Sequence, residues 1–256
     1  MDNDDAMIGK VLSRRAALKL FGIASGTVAA GLIGSRLVDA QGGMGSTSAG
    51  ISGATSLPGC VVRPAMTEGP FFNHELPNRS DIRSDSKTKA LSAGLPLTLT
   101  FLISKVGTGK CEPRSGVMVD IWHCDALGKY SGEQGEGTAG QDFLRGYQMT
   151  DAGGKAVFKT IYPGWYNGRA VHIHFKLRTV SNGQVIGEFT SQVFFDDSLS
   201  DAVYTAAPYT GRSGKRNVLN SGDGIYKNGG SQMLLALKGN VKTGYSATFD
   251  IGLNIA

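Results

Sequence analysis

Histidine, cysteine and tryptophan are scarce in this chain of 256 residues, which has four, three and two of them. Clustered basic runs are missing as well. The formal net charge of +5 is spread along the chain, which excludes the concentrated basic face that nucleic-acid binding requires. The apolar run from Phe21 to Gly34 is 14 residues long, short of the roughly 20 that span a bilayer. Helical periodicity is sparse and no internal repeat is present. An odd number of cysteines in an exported protein implies one disulfide and one leftover thiol. Cys60 with Cys111 is the expected pair and Cys124, following the strand-like VMVDIWH, reads as packed; the alternative is three free thiols.

What is present begins with an address. SRRAALKL followed by FGIASGTVAAGLIG reads as an export signal over residues 1–40, with the twin-arginine pair Arg14 and Arg15, and Val38-Asp39-Ala40 offers a cleavage site before Gln41. An uncleaved N-terminal anchor is the alternative. Export through the twin-arginine machinery to the periplasm or exterior is expected. That route resembles one taken by already folded proteins, often carrying a cofactor. QGGMGSTSAGISGATSLPG over residues 41–59 reads as a flexible linker. Residues 60–256 then form one domain, long enough for a substantial core.

The domain alternates in strand fashion. LPLTLTFLIS sets Leu97, Leu99, Phe101 and Ile103 against Thr98 and Thr100, and VMVDIWH sets Val117, Val119 and Ile121 against polar neighbours. RGYQMT and KAVFKTIY flank DAGG, and VHIHFKLRTV and VIGEFTSQVFF flank SNGQ, both read as hairpins. GYSATFDIGLNI is a further alternating run, and SQMLLALKG reads as a short helix stopped by Gly239. Seven or so short strands joined by long loops, with little helix, predict an all-β fold, an antiparallel β-sandwich.

The chemistry concentrates in YPGWYNGRAVHIH, Tyr162 to His174, which holds two of the four histidines, an arginine and two tyrosines. His172 and His174 are one residue apart in a strand-like run, so the two-residue period turns both imidazoles to one face, where they can converge on a metal ion. A solvated strand face or a structural pair is the alternative. His123 reads as a packed histidine rather than a further ligand, His74 as solvated, and Tyr147 and Tyr162 as packing residues.

DIWHCDALGKYSG, FLRGYQMTDAGGKAVFKTIYPGWYNGRAVHIHF and the earlier TEGPFF together closely resemble the intradiol ring-cleavage dioxygenases, over essentially all of residues 60–255. The resemblance implies a non-haem Fe(III) ion held by Tyr130, Tyr166, His172 and His174. Phenolate oxygen with neutral imidazole suits Fe(III), whereas thiolates favour zinc or clusters. The implied substrates are a catecholic small molecule and O₂. The ring would open between the two hydroxyl-bearing carbons to a muconate-type dicarboxylic acid, with iron as Lewis acid and template. Tyr166 matches the axial tyrosine that is displaced and acts as a base, Arg169 matches an arginine that stabilises charge on the ring, and Gln192 matches a glutamine near the oxygen side. A salt bridge within the sandwich is the alternative role for Arg169.

The pattern also departs from the family's cytosolic members. Only five residues separate Tyr166 from His172, and Gly168 stands where a tryptophan is usual. This compact spacing resembles a secreted subgroup. The helical segment that pairs subunits in catechol and hydroxyquinol enzymes has no counterpart, so oligomeric state is not inherited. Three other readings compete: a metal-free β-sandwich binding module, a zinc or copper site using the histidines alone, and an iron-binding relative without catalysis.

Overall fold

A computed structural model describes residues 61–106 and 111–253. The export signal, the linker and Cys60 lie outside the described residues. Cys111 is disulfide-bonded, and Cys124 is free and buried. None of the helices among the described residues is long and apolar enough to cross a membrane.

Two sheets face each other. One contains β1 (Pro96–Val106), β2 (Cys111–Pro113), β5 (Lys155–Ile161), β8 (Lys238–Asn240) and β9 (Gly244–Leu253). The other runs in the order β4 (Arg145–Met149), β3 (Val117–Trp122), β6 (His172–Ser181) and β7 (Gln184–Phe194). The alternation in β1 is realised, with Leu97, Leu99, Phe101 and Ile103 all buried. They meet Ile173, Phe175 and Leu177 of β6 and Phe249 of β9 in one apolar core. Phe101 sits at the junction, its ring 5.1 Å from Phe175, 6.0 Å from Phe249 and 6.2 Å from Phe158.

The β6–β7 hairpin forms as expected. Asn182 and Gly183 have φ of 49° and 75°, the left-handed pair that a tight two-residue turn needs.

Three expectations are corrected. DAGG does not close a hairpin within one sheet: β4 pairs with β3 and β5 with β1, so the turn carries the chain between sheets. The chain crosses there because β5's apolar face, Ala156 and Phe158, belongs to the β1 side of the core. SQMLLALKG is not a helix. It holds the end of a 3-10 turn, Gly230–Met233, then extended chain, with Gly239 inside β8, because Leu235 N–H bonds to Phe194 O and draws the segment along β7. The sandwich is also not wholly antiparallel, since β1 and β9 pair in parallel over nine positions from Leu97↔Tyr245 to Lys105↔Leu253.

The one α-helix among the described residues, α1 (Asp197–Val203), went unread in the sequence. Asp196 caps it by accepting from Ser198 and Leu199 N–H.

Replacing Phe101 with alanine should lower unfolding free energy by about 3–5 kcal/mol, measured by urea denaturation of the folded domain. A loss under about 1 kcal/mol would show that the two sheets do not depend on this junction.

Candidate metal centre

β6 has one residue set in the core and the other on the outer face of its sheet. His172, His174, Lys176 and Arg178 take that outer face by alternation with Ile173, Phe175 and Leu177. Strand register aligns neighbours there: Trp122 of β3 lies opposite His174 on one side, and Gln192 of β7 lies opposite it on the other. The Trp122 indole stacks on the His174 ring, centroids 5.0 Å apart and 9° from parallel.

The tyrosines arrive on two loops that touch backbone to backbone. Gly128 has φ +84°, and a Cβ there would lie 2.1 Å from Trp165 O. A Cβ on Gly164 would lie 2.4 Å from Asp125 O. Only glycine permits this approach, and Gly164 N–H donates to Asp125 O at 3.0 Å. The glycines of GKYS and PGWY thus bring Tyr130 and Tyr166 side by side, ring centroids 5.6 Å apart. Phe71, from TEGPFF, stacks on Tyr130 at 4.2 Å.

Three of the four candidate ligands converge, and the Tyr130 ring lies beside them, 5.6 Å from the Tyr166 ring and 6.3 Å from the His174 ring. Nε2 of His172 and Nε2 of His174 lie 3.0 Å apart, and Tyr166 Oη lies 3.1 Å from His172 Nε2. Two donor atoms each about 2.1 Å from a common ion, at right angles, would be separated by about 3 Å. His172 Nδ1–H donates to Ala170 O at 2.6 Å, which leaves Nε2 as the bare nitrogen a metal needs. Tyr130 Oη is buried without a hydrogen-bond partner among the described residues, a costly arrangement unless another group completes it. The residues therefore fit a metal ion. No cluster of three or more His, Cys, Asp or Glu offers a rival site among the described residues.

Arg169 is held on three sides. Nε–H donates to Asp223 Oδ2 at 2.9 Å and Nη2–H to Gln192 Oε1 at 2.5 Å, while Nη1 lies 3.4 Å from His172 Nε2. Gln192 in turn donates to Thr67 O at 2.9 Å. The arginine is thus ion-paired within the sandwich and beside the centre at once. Asp223 is buried and was missed in the sequence. Burial works against its charge, but Arg169 and the N–H groups of Ala170 and Tyr226 outweigh that and hold its carboxyl below the ordinary range. The only local signal was DGIY, an Asx-type turn.

His123 is packed, its ring nitrogens on Cys124 O and Thr160 Oγ1 at 2.8 and 2.6 Å. His74 is exposed. Tyr162 is buried with its hydroxyl on Ser200 Oγ at 2.8 Å, and Tyr147 is half-buried.

Burial drives both imidazoles well below their ordinary range, with Arg169 adding to the effect at His172 and His172 adding to it at His174. Burial also lifts the Tyr130 phenol well above its usual range, with Tyr166 adding to it. The Tyr166 phenol is pushed up by burial to about 12, against the opposing pull of Arg169. Imidazoles held neutral and phenols held protonated at neutral pH give a candidate mixed nitrogen and oxygen donor set on a two-sheet β scaffold, and a nearby cation would favour loss of the phenolic protons.

Comparison with known proteins identifies the family. A family model described as a dioxygenase matches residues 67–210, more than half of the chain. The chain belongs to the intradiol ring-cleavage dioxygenase family. The chlorocatechol 1,2-dioxygenase of Pseudomonas sp. (strain P51) is 29% identical over 152 residues, covering 52% of this chain and only 55% of that relative's length. The intradiol ring-cleavage dioxygenase from Tetranychus urticae aligns with a TM-score of 0.63 at 28% identity, covering 76% of this chain and 95% of the other. The dioxygenase domain of a dioxygenase carbohydrate-binding protein fusion from Streptomyces sp. SirexAA-E gives 0.54 at 27%, covering 77% and 100%.

The raised Tyr166 phenol has a consequence for stability. Between about 10 and about 12 the folded state keeps a proton that the unfolded chain gives up, so stability falls as pH rises through that window. In urea unfolding of metal-free protein at pH 10 and 11, Tyr166→Phe should show a smaller fall than the unsubstituted chain. Equal falls would contradict the assignment.

Proposed function

We propose that the chain is a non-haem iron(III) intradiol dioxygenase. It would open catecholic rings between the two hydroxyl-bearing carbons with O₂, giving muconate-type dicarboxylic acids. The observation that carries this reading is the meeting of His172 Nε2, His174 Nε2 and Tyr166 Oη within 3.0 to 3.1 Å of a neighbour, beside the partnerless phenol of Tyr130.

Tyr130, Tyr166, His172 and His174 would hold the iron, a hard oxygen and borderline nitrogen set that suits the ferric state. Bound there, Fe(III) would supply Lewis acidity and a template for catechol and O₂.

The chain's own residues supply the rest. His172 is locked by Ala170 O in the tautomer that presents Nε2, and His174 is held flat by Trp122. Tyr166 is half-buried, beside exposed Asn167 and Gly168, so it lies on the open side of the centre, where Oη, ionised beside bound iron, would accept a proton from a catechol hydroxyl. Arg169 Nη1 faces the same space and would stabilise negative charge on the ring. Phe71 and Tyr130 form an apolar wall that keeps water from one side.

Tyr130→Phe and His172→Ala should each lose iron, by metal analysis, and the visible tyrosinate-to-iron absorption. Arg169→Ala should retain iron but open catechol about 100-fold more slowly. Unchanged turnover in both ligand variants would sink the ligand set, and an unchanged rate in the arginine variant would remove its role.

Export by the twin-arginine route to the periplasm or exterior belongs to the same proposal and rests on Arg14, Arg15 and the apolar run after them. Replacing both arginines with lysine should leave the protein in the cytoplasm with its first 40 residues attached. Normal export of that variant would remove this part.

A further inference from the structure

Asp223 makes more contacts near the centre than any bond to Arg169 requires. Its carboxylate accepts four N–H groups: Arg169 Nε and Ala170 N on Oδ2 at 2.9 and 2.7 Å, and Ile225 N and Tyr226 N on Oδ1 at 2.7 and 2.8 Å. It is 1% exposed, so water cannot substitute for any of them. The carboxylate belongs to a different part of the chain, 54 positions from the arginine, between the turns Asn220–Gly222 and Tyr226–Asn228 that flank it.

The geometry points to Asp223 as the positioning residue that aims Arg169, by fixing its Nε edge and the Ala170 peptide so that Nη1 is the edge left facing the centre. This inference rests on the proposed function and deepens it. The guanidinium is planar, so fixing Nε and Nη2 determines where Nη1 lies. Gln192 contributes the second grip at Nη2, but an amide oxygen is neutral and only Asp223 also offsets the arginine's charge. Ala170 is shared: its N–H is held by Asp223 and its carbonyl accepts His172 Nδ1–H.

Asparagine at this position has nearly the same volume but one acceptor oxygen instead of two. If that oxygen keeps Ile225 and Tyr226, the new NH₂ faces two donors, Arg169 Nε–H and Ala170 N–H, and the arginine is released.

The test is a double-mutant cycle on the iron-loaded protein, with catechol as the probe. Asp223→Asn should keep iron and its visible absorption. It should lower kcat/KM about 10- to 100-fold and weaken anaerobic catechol binding, followed by the shift of that absorption. In the Arg169→Ala background the same substitution should change both readouts by less than about two-fold. Equal losses in the two backgrounds, no loss at all, or loss of iron from the single variant would overturn the inference. Should Asp223→Asn fail to fold, Asp223→Glu replaces it in the same cycle, keeping charge and both oxygens while displacing the grip by one methylene, and the same outcomes support or overturn the inference. Absence of any ring opening by the unsubstituted iron-loaded protein would instead sink the proposed function, whereas normal turnover with equal losses sinks only the role of Asp223.

Discussion

The site depends on the two-residue period of β6. Ile173, Phe175 and Leu177 anchor the strand in the core, and the same alternation obliges His172, His174, Lys176 and Arg178 to share the opposite face. That face is nevertheless buried at the two histidines and Lys176, so each polar group needs a partner. Arg178 has one in Asp120, through two bonds of 2.8 and 2.6 Å. Lys176 pairs with Glu68 and sits 4.1 Å from the Phe72 ring centre. Both partners lie in the segment that also contributes Phe71, which stacks on Tyr130. The histidines are left with nitrogens that face each other.

The phenols enter by a different constraint, close packing of two loops. Loop backbone packed against loop backbone must satisfy its polar groups and leave room for no side chain. Gly128 and Gly164 provide that room, while Asp125 ties its own loop with bonds to Leu127 and Lys129 N–H at 2.9 and 2.8 Å. The motifs G-x-Y and P-G-x-Y are therefore one structural device written twice. A rigid strand supplies nitrogen donors and two interlocked loops supply oxygen donors, which leaves Tyr166 as the more accessible phenol and Tyr130 as the sealed one.

The parts legible from sequence were those governed by neighbours within a few residues. Alternation exposed β1, β3 and β9, the Asn182-Gly183 pair marked its hairpin, and the H-x-H spacing predicted convergence without any partner being known. The pairing of strands could not be read in this way. DAGG looks like a hairpin turn locally, and only the match of Ala156 and Phe158 to β1 sends the chain to the other sheet. SQMLLALKG has apolar residues to suit a helix, yet β7 offers Leu235 a backbone bond. Asp223 is the strongest case, because its local turn accounts only for the Ile225 and Tyr226 donors and no local pattern joins it to Arg169 and Ala170.

That excursion also resolves an electrostatic difficulty. An arginine beside a highly charged cation would be repelled, since two like unit charges about 4 Å apart cost about 4 kcal/mol at an effective dielectric constant near 20. Asp223 pairs with Nε at 2.9 Å while Nη1 lies 3.4 Å from His172 Nε2, so it offsets the positive charge without occupying Nη1. The arginine can then stand close to a metal before any anionic ring arrives, and still present an N–H when one does. A bare arginine at this place would be driven toward solvent, and the short span between Tyr166 and His172 would offer little to hold it back. The buried carboxylate is thus the counterpart of the compact loop: Arg169 is anchored from a distant turn rather than by the short span that carries it.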